Sequence, residues 1–173
     1  MLGADVVRAP LRARDTYDRI AFLTYACELC SALAPESCEA PKHYRLLQAA
    51  LEMLEGEAEP CPATRLALEA KALTFSGLQP GLLRCVRCAE PLERTAQFDH
   101  LVGGAVHEHC GNGPTLTREG LAQCEELRRT PLALTPGIGL LDSGVEWLIS
   151  DFVQHQLGSE LRSRAMFSSF DST

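Results

Sequence analysis

Between Arg84 and Cys110 the sequence RCVRCAEPLERTAQFDHLVGGAVHEHC gathers three of the chain's eight cysteines and three of its five histidines. Cys85-x2-Cys88 is followed, after an eighteen-residue insert, by His107-x2-Cys110. A two-residue gap lets both donors of a pair face one ion from a tight turn, and a hairpin-length insert can bring two such pairs together as a tetrahedral set. Zinc accepts three thiolates and an imidazole and has no redox chemistry to manage. With all four positions filled by protein, no site is left for water, so the metal expected is a structural Zn2+. Gly103 and Gly104 suit the turn of the hairpin, and Gly111 suits the exit from the second pair. The plain alternative is a set of unconnected thiols beside a surface histidine. His100 and His109 compete for the third position; His100 breaks the paired spacing and His109 abuts Cys110, so His107 is preferred.

The remaining cysteines carry less. Cys27-Glu28-Leu29-Cys30 repeats the pair spacing inside a strongly periodic helical stretch, where both thiols are expected to face the core. A redox dithiol would sit at a helix N-terminus beside a strand, and that setting is missing. Cys38, Cys61 and Cys124 read as loop or core thiols. Catalytic signatures are lacking as well. No Pro-Cys-x-x-Cys follows a His-x-Glu, and there is no His-Glu-x-x-His, no Gly-x-Ser-x-Gly and no phosphate-cradling glycine loop. Glu108 beside His107 reads as a solvent-facing strand residue rather than a base. The expectation is a protein that is not an enzyme.

The elements that must position the metal pairs are mostly helical. Ile20, Leu23, Cys27, Cys30 and Leu33 recur at three- and four-residue steps, predicting a helix over 14–33 that Pro35 stops. A second helix is predicted over 41–55, with Leu47, Ala50, Leu51 and Leu54 inward. A third opens at Pro62 and closes at Gly77, with an Ala- and Leu-rich interior. A fourth covers about 117–129 and buries Leu121, Cys124 and Leu127. The last starts at Ser143, where Ser143-Gly144-Val145-Glu146 reads as a capping box, and presents Val145, Leu148, Ile149, Phe152 and Val153. Strand signals are confined to TAQFD and GAVHEH around HLVGG, one hairpin. The expected fold is mainly α: a helical bundle with an inserted zinc-binding β-hairpin module. Its parts would be residues 1–84 and 112–173 as the two halves of the bundle and 85–111 as the module.

Composition limits the partners. At 173 residues the chain can bury a core without staples, and its net charge of -7 and pI near 5.2 argue against a broad phosphate-gripping face. Nucleic acid, if bound, needs a local patch; Arg8, Arg12, Arg14 and Arg19 near the start and Arg162 and Arg164 at the end are the candidates. Arg128–Arg129 and Arg162–Arg164 lie beside apolar stripes and suit the rim of a pocket for an acidic tail, or simply balance helix C-termini. No run is long enough to span a bilayer and the first twenty residues lack a signal-peptide core, so a reducing cytoplasm and no membrane partner are expected.

Four stretches carry a family resemblance: TYACEL (24–29), ALEAKALTFSGLQPGLLRCVRC (67–88), FDHLVGGAVHEHC (98–110) and LGSELRSRAMF (157–167). In order and spacing, from about residue 3 to 167, they resemble the helical, zinc-bearing C-terminal region of the DNA repair protein RecO family. The helix ending in Gly-Leu-x-Pro before the metal pair is the most specific element, and the Leu-Gly-x-x-Leu-x-Ser-Arg tail the next. The resemblance implies a bacterial, nucleoid-associated recombination mediator. Such a protein binds single- and double-stranded DNA, anneals strands, contacts the tail of single-strand binding protein, and works with RecR to load RecA. It also implies an N-terminal oligonucleotide-binding barrel, for which these residues offer no counterpart. His107 stands where four-cysteine relatives carry Cys. A second reading is a zinc-stabilised helical interaction module without DNA binding of its own.

Overall fold

The computed structural model describes residues 9–35, 40–140 and 143–167, and it is the mainly α architecture expected. Among the described residues five α-helices (α1 Tyr17–Leu33, α2 Pro41–Glu55, α3 Pro62–Phe75, α4 Arg118–Arg129 and α5 Ser143–Leu157) enclose one core. Between α3 and α4 lie three strands, β1 Thr95–Asp99, β2 Gly104–Val106 and β3 Thr115–Thr117, in the order β2-β1-β3. Short 3-10 segments at Arg12–Arg14, Leu132–Gly137 and Arg162–Phe167 complete the chain.

Local chemistry sets the helix ends. The Thr16 hydroxyl accepts from the Arg19 amide at the start of α1, and Thr117 does the same for Gly120 at the start of α4. Proline occupies the first turn of α2 and α3, where its missing N–H costs nothing. Gly77 ends α3 with φ +76°; its amide reaches Thr74 O and that of Leu78 reaches Leu73 O, the paired closure of a left-handed helix stop. Ser143 is the first residue of α5, and the Glu146 carboxylate accepts from Arg65 as a tertiary ion pair.

The third helix is the hub. From Ala63 to Leu73 every residue is buried except the half-buried Lys71, because α3 is packed by α1, α2, α4, α5 and the 132–137 segment. A helix enclosed on all sides must bury its polar residues too. Glu69 is 0% exposed and Arg65 4%. Tyr25 Oη donates to Glu69 Oε1 at 2.7 Å, Ser150 Oγ to Oε2 at 2.9 Å, and Arg65 to Oε1 at 3.2 Å. Burial, reinforced by Glu69, holds the Tyr25 hydroxyl well above its usual pKa, so it stays a donor. Phe167 packs edge-on to Tyr25 with ring centroids 5.0 Å apart and lies over the Arg65 guanidinium, closing the network under the C-terminal segment.

Two expectations are corrected. In α1 the buried face is Phe22, Tyr25, Ala26, Leu29, Cys30 and Leu33, whereas Ile20 is 41% exposed, Leu23 half-buried and Cys27 exposed. The helix is apolar around most of its circumference, so its period did not define which side would meet α2 and α3. The predicted hairpin gains a third strand. β3 pairs antiparallel with β1 through Thr95–Thr117, Ala96–Leu116 and Gln97–Thr115. TLT is short and followed at once by the α4 cap, which hid it from period-two reading. On α2, α4 and α5 the predicted inward residues are buried or half-buried, with Met53 and Leu46 added in α2.

The network yields a stability prediction. Glu69→Leu leaves Arg65, Tyr25 and Ser150 without their shared acceptor and lowers unfolding free energy by roughly 3–5 kcal/mol in urea titration, the usual cost of removing one member of a buried pair. The double replacement Arg65→Met with Glu69→Leu is expected to lose less. A single Glu69→Leu within about 0.5 kcal/mol of the parent would contradict the account.

Candidate metal centre

The metal pairs are held on backbone that glycines bring close together. Gly103 turns the β1–β2 hairpin with φ +70°, and a Cβ on Gly104 would sit 2.6 Å from Gly81 O. That close approach lets Gly81 and Val86 clamp the first pair onto β2: Ala105 N donates to Gly81 O at 2.7 Å and Val86 N to Ala105 O at 3.0 Å. The loop then closes on itself, with Ala89 N donating to Cys85 O at 2.9 Å and Cys85 N to Glu90 O at 3.0 Å. Ala89 takes φ +64°, a strained setting for a residue with a Cβ, costing roughly 1–2 kcal/mol. The second pair begins where β2 ends at Val106, and Cys110 N returns to His107 O at 2.8 Å. At Gly111 a Cβ would meet Val106 Cγ2 at 2.9 Å and Asp99 Oδ2 at 3.0 Å, so the expected role of that glycine holds through close packing.

The four predicted donors converge. The Cys85, Cys88 and Cys110 sulfurs and a His107 ring nitrogen all lie within 4.8 Å of one another. His107 turns Nδ1 to the thiols, 3.4 Å from Cys88 Sγ and 3.9 Å from Cys110 Sγ. Its Nε2 is 3.0 Å from Pro91 O. A carbonyl can only accept, so in the neutral ring the proton is on Nε2 and the Nδ1 lone pair faces the sulfurs, the usual outer-shell arrangement for a metal-binding histidine. Tetrahedral zinc with Zn–S near 2.3 Å separates its sulfurs by about 3.8 Å, so this donor set fits the ion with little movement. The cluster could hold a metal ion.

Crowding shows in the acidities. Burial opposes ionisation of Cys85, yet the backbone amides of Cys88, His107 and Arg87 aim at its sulfur and hold it down to about 6. Burial, then the neighbouring Cys85 and Cys88, pushes Cys110 up to about 11. The Cys85 thiolate is ready, and Cys110 needs a cation to follow.

His109 lies outside the cluster, exposed and stacked parallel on His107 with centroids 5.2 Å apart. His100 lies on the far side of the hairpin against α5, 5.4 Å from the Trp147 ring. Glu108 is exposed. Of the other thiols, Cys30 is buried and pushed up to about 12 by burial, Cys124 is buried, and Cys61 is half-buried at the start of α3. Cys38 and Arg8 fall outside the described residues.

The candidate arginines lie at the start of α1 and on the C-terminal segment that packs against it. Arg12 and Arg14 are exposed in the 3-10 turn before it, whereas Arg19 is 4% exposed and grips Glu59, with Nη2 to Oε1 at 2.6 Å. Arg162 is exposed and Arg164 half-buried on the C-terminal segment, whose amides at Arg162 and Ser163 donate to the Glu28 carboxylate at 3.0 and 2.8 Å. Arg128 and Arg129 both pair with Glu125 in the last turn of α4. A recess absent from the sequence reading, about 210 Å³, lies between the first metal loop and α4. Leu82, Leu83, Pro91, Leu92 and Leu121 line it, and exposed Arg118 stands at its edge. Its residues come from three separate stretches, so no local pattern announces it. No helix of the described residues is long and apolar enough to cross a membrane.

Comparison with known proteins agrees with this geometry. The family described as Recombination protein O C terminal matches residues 14–165. A DNA repair protein RecO from Symbiobacterium thermophilum is 32% identical over 130 residues, covering 72% of this chain and 51% of its own length. One from Pelobacter propionicus is 40% identical over 114 residues, 64% of this chain and 45% of its own. One from Syntrophotalea carbinolica is 30% identical over 157 residues, 86% and 60% respectively. The chain thus spans about half the length of such curated relatives. A match running from the turn before α1 to the C-terminal segment, across the helical hub and both metal pairs, places the chain in the recombination protein O family, within its C-terminal region.

Proposed function

We propose that this chain is a non-catalytic DNA repair and recombination mediator whose helical bundle is completed, across residues 85–111, by a zinc-stabilised module. The observation carrying the reading is the convergence of Cys85, Cys88, His107 and Cys110 within 4.8 Å, inside a fold matched along most of its length by the family. On this reading residues 1–84 and 112–173 are the two halves of the bundle. Zinc supplies folding energy and no chemistry: three thiolates and an imidazole fill a tetrahedral shell, and the residues themselves only hold it. The protein works in the bacterial cytoplasm at the nucleoid.

The metal reading predicts about one zinc per chain in purified protein, measured by elemental analysis. Cys85→Ser lowers that content and loosens the 81–111 segment in hydrogen exchange, while α2 and α3 keep their protection, because metal affinity here is folding energy of the module. Protons compete with the metal for the same donor atoms, so zinc affinity is expected to fall as pH is lowered. Full-length metal-free protein with unchanged melting would refute the zinc claim.

The mediator reading places phosphate contacts at Arg12, Arg14, Arg162 and Arg164. Arg19 is already committed to Glu59 and contributes by fixing the entry to α1. Arg12→Ala with Arg14→Ala weakens single-stranded oligonucleotide binding alike for all sequences and flattens the salt slope by about two units. Identical affinity and slope in parent and variant would favour the alternative, a zinc-stabilised interaction module that serves RecR or single-strand binding protein without touching DNA.

For the acidic, aromatic-ended tail of single-strand binding protein, the 210 Å³ recess edged by Arg118 offers an apolar floor with a basic rim. Arg128 and Arg129 are paired with Glu125, which favours their plainer role at the end of α4. A tail peptide is expected to bind with micromolar affinity, weaken with salt, and be lost on removal of its terminal phenylalanine or with Arg118→Glu. Equal binding of a scrambled acidic peptide would reduce the contact to charge attraction.

A further inference from the structure

A second group of metal-ligating side chains lies where the β1–β2 turn meets α5, away from the cysteine cluster. His100 packs edge-on against Phe98 and Trp147, with centroids 5.0 and 5.4 Å apart. Both of its ring nitrogens are buried and neither makes a hydrogen bond. Nε2 is only 3.2 Å from Asp151 Oδ2, an ion-pair distance with no hydrogen bond between them. One turn further along α5, the His155 ring stands 5.4 Å from that of His100, tilted by 54°. Asp151 and His155 are four residues apart and share a helix face. Burial, opposed by Asp151 and reinforced by His155, lowers the pKa of His100 and favours the neutral, ligand-competent ring.

A buried ring whose Nδ1 has no partner and whose Nε2 faces a carboxylate without a hydrogen bond calls for a physical reason, and an ion between Nε2 and that carboxylate is one. We propose that His100, Asp151 and His155 form a second cation site for a borderline divalent transition ion, which two imidazoles and a carboxylate suit. Among the described residues only the cysteine cluster has three or more such donors already converged. Here His100 and Asp151 are in place, and rotation of the exposed His155 side chain completes the set. Three protein ligands leave positions for water, so binding is weaker and exchangeable. The ion would tie the hairpin turn to α5.

Trp147 is the chain's only tryptophan and touches His100, so it reports on the site directly. Untagged protein with its cysteine cluster zinc-loaded is titrated with Ni2+ while tryptophan emission and bound zinc are measured. One saturable Ni2+ per chain is expected, with quenching, competition by added Zn2+ and no loss of the first zinc. Asp151→Asn and His155→Ala, both at accessible positions, weaken Ni2+ binding about tenfold or more and leave the first zinc and the melting temperature of the zinc-loaded protein unchanged. No saturable quenching, unchanged affinity in both variants, or nickel uptake matched by zinc release would each overturn the proposal.

Discussion

A carboxylate with no access to water organises this molecule. Glu69 sits on the one helix that every other helix packs against, and its two oxygens are satisfied by Tyr25 from α1, Ser150 from α5 and Arg65 from α3 itself. A buried charge is tolerable only when its partners are in place. The network therefore ties the packing of α1, α3 and α5 to one arrangement, in a core otherwise built from Ala and Leu that could slide at little cost. Arg65 extends it outward to Glu146, and Phe167 covers it, so the C-terminal segment belongs to the same unit. Glu28 fixes that segment from the other side by accepting its first amides.

The hairpin that carries the cysteine cluster is built on another principle. Its strands are only three to five residues long and cannot supply a core of their own. It gains order from two sources: the convergence of Cys85, Cys88, His107 and Cys110, and the seating of β1 on α5 through Phe98 and Phe152, whose centroids are 5.4 Å apart. Glycines make the first source possible by letting the 81–86 segment lie against β2. Aromatic packing makes the second possible, and it brings His100, Trp147 and Asp151 together at the same contact. The recess beside Arg118 arises at the opposite join, where the first metal loop meets α4. Thus both joins between hairpin and bundle carry features that neither part has alone.

What the sequence determined by itself was whatever depends on near neighbours. Pro62 at the start of α3, Gly77 at its end, and the two chelating pairs are local patterns with one reasonable geometry each. They gave the helices to within a few residues, and the donor set as the residues that converge. His107 was legible over His109 because paired spacing favours it, and the structure added the reason in atoms: Pro91 O takes Nε2 and frees Nδ1. What only the tertiary structure decided was the choice among equals. α1 offered apolar residues on several faces, and packing against α2 and α3 selected Phe22, Tyr25 and Leu29 over Ile20 and Cys27. Thr115–Thr117 became a strand because β1 had a free edge. Arg19 looked like a surface cation until Glu59, forty residues away, took it inside. Periodicity and propensity act over one or two turns, whereas burial and charge pairing are settled between segments far apart in the chain, and such partners leave no mark on local spacing.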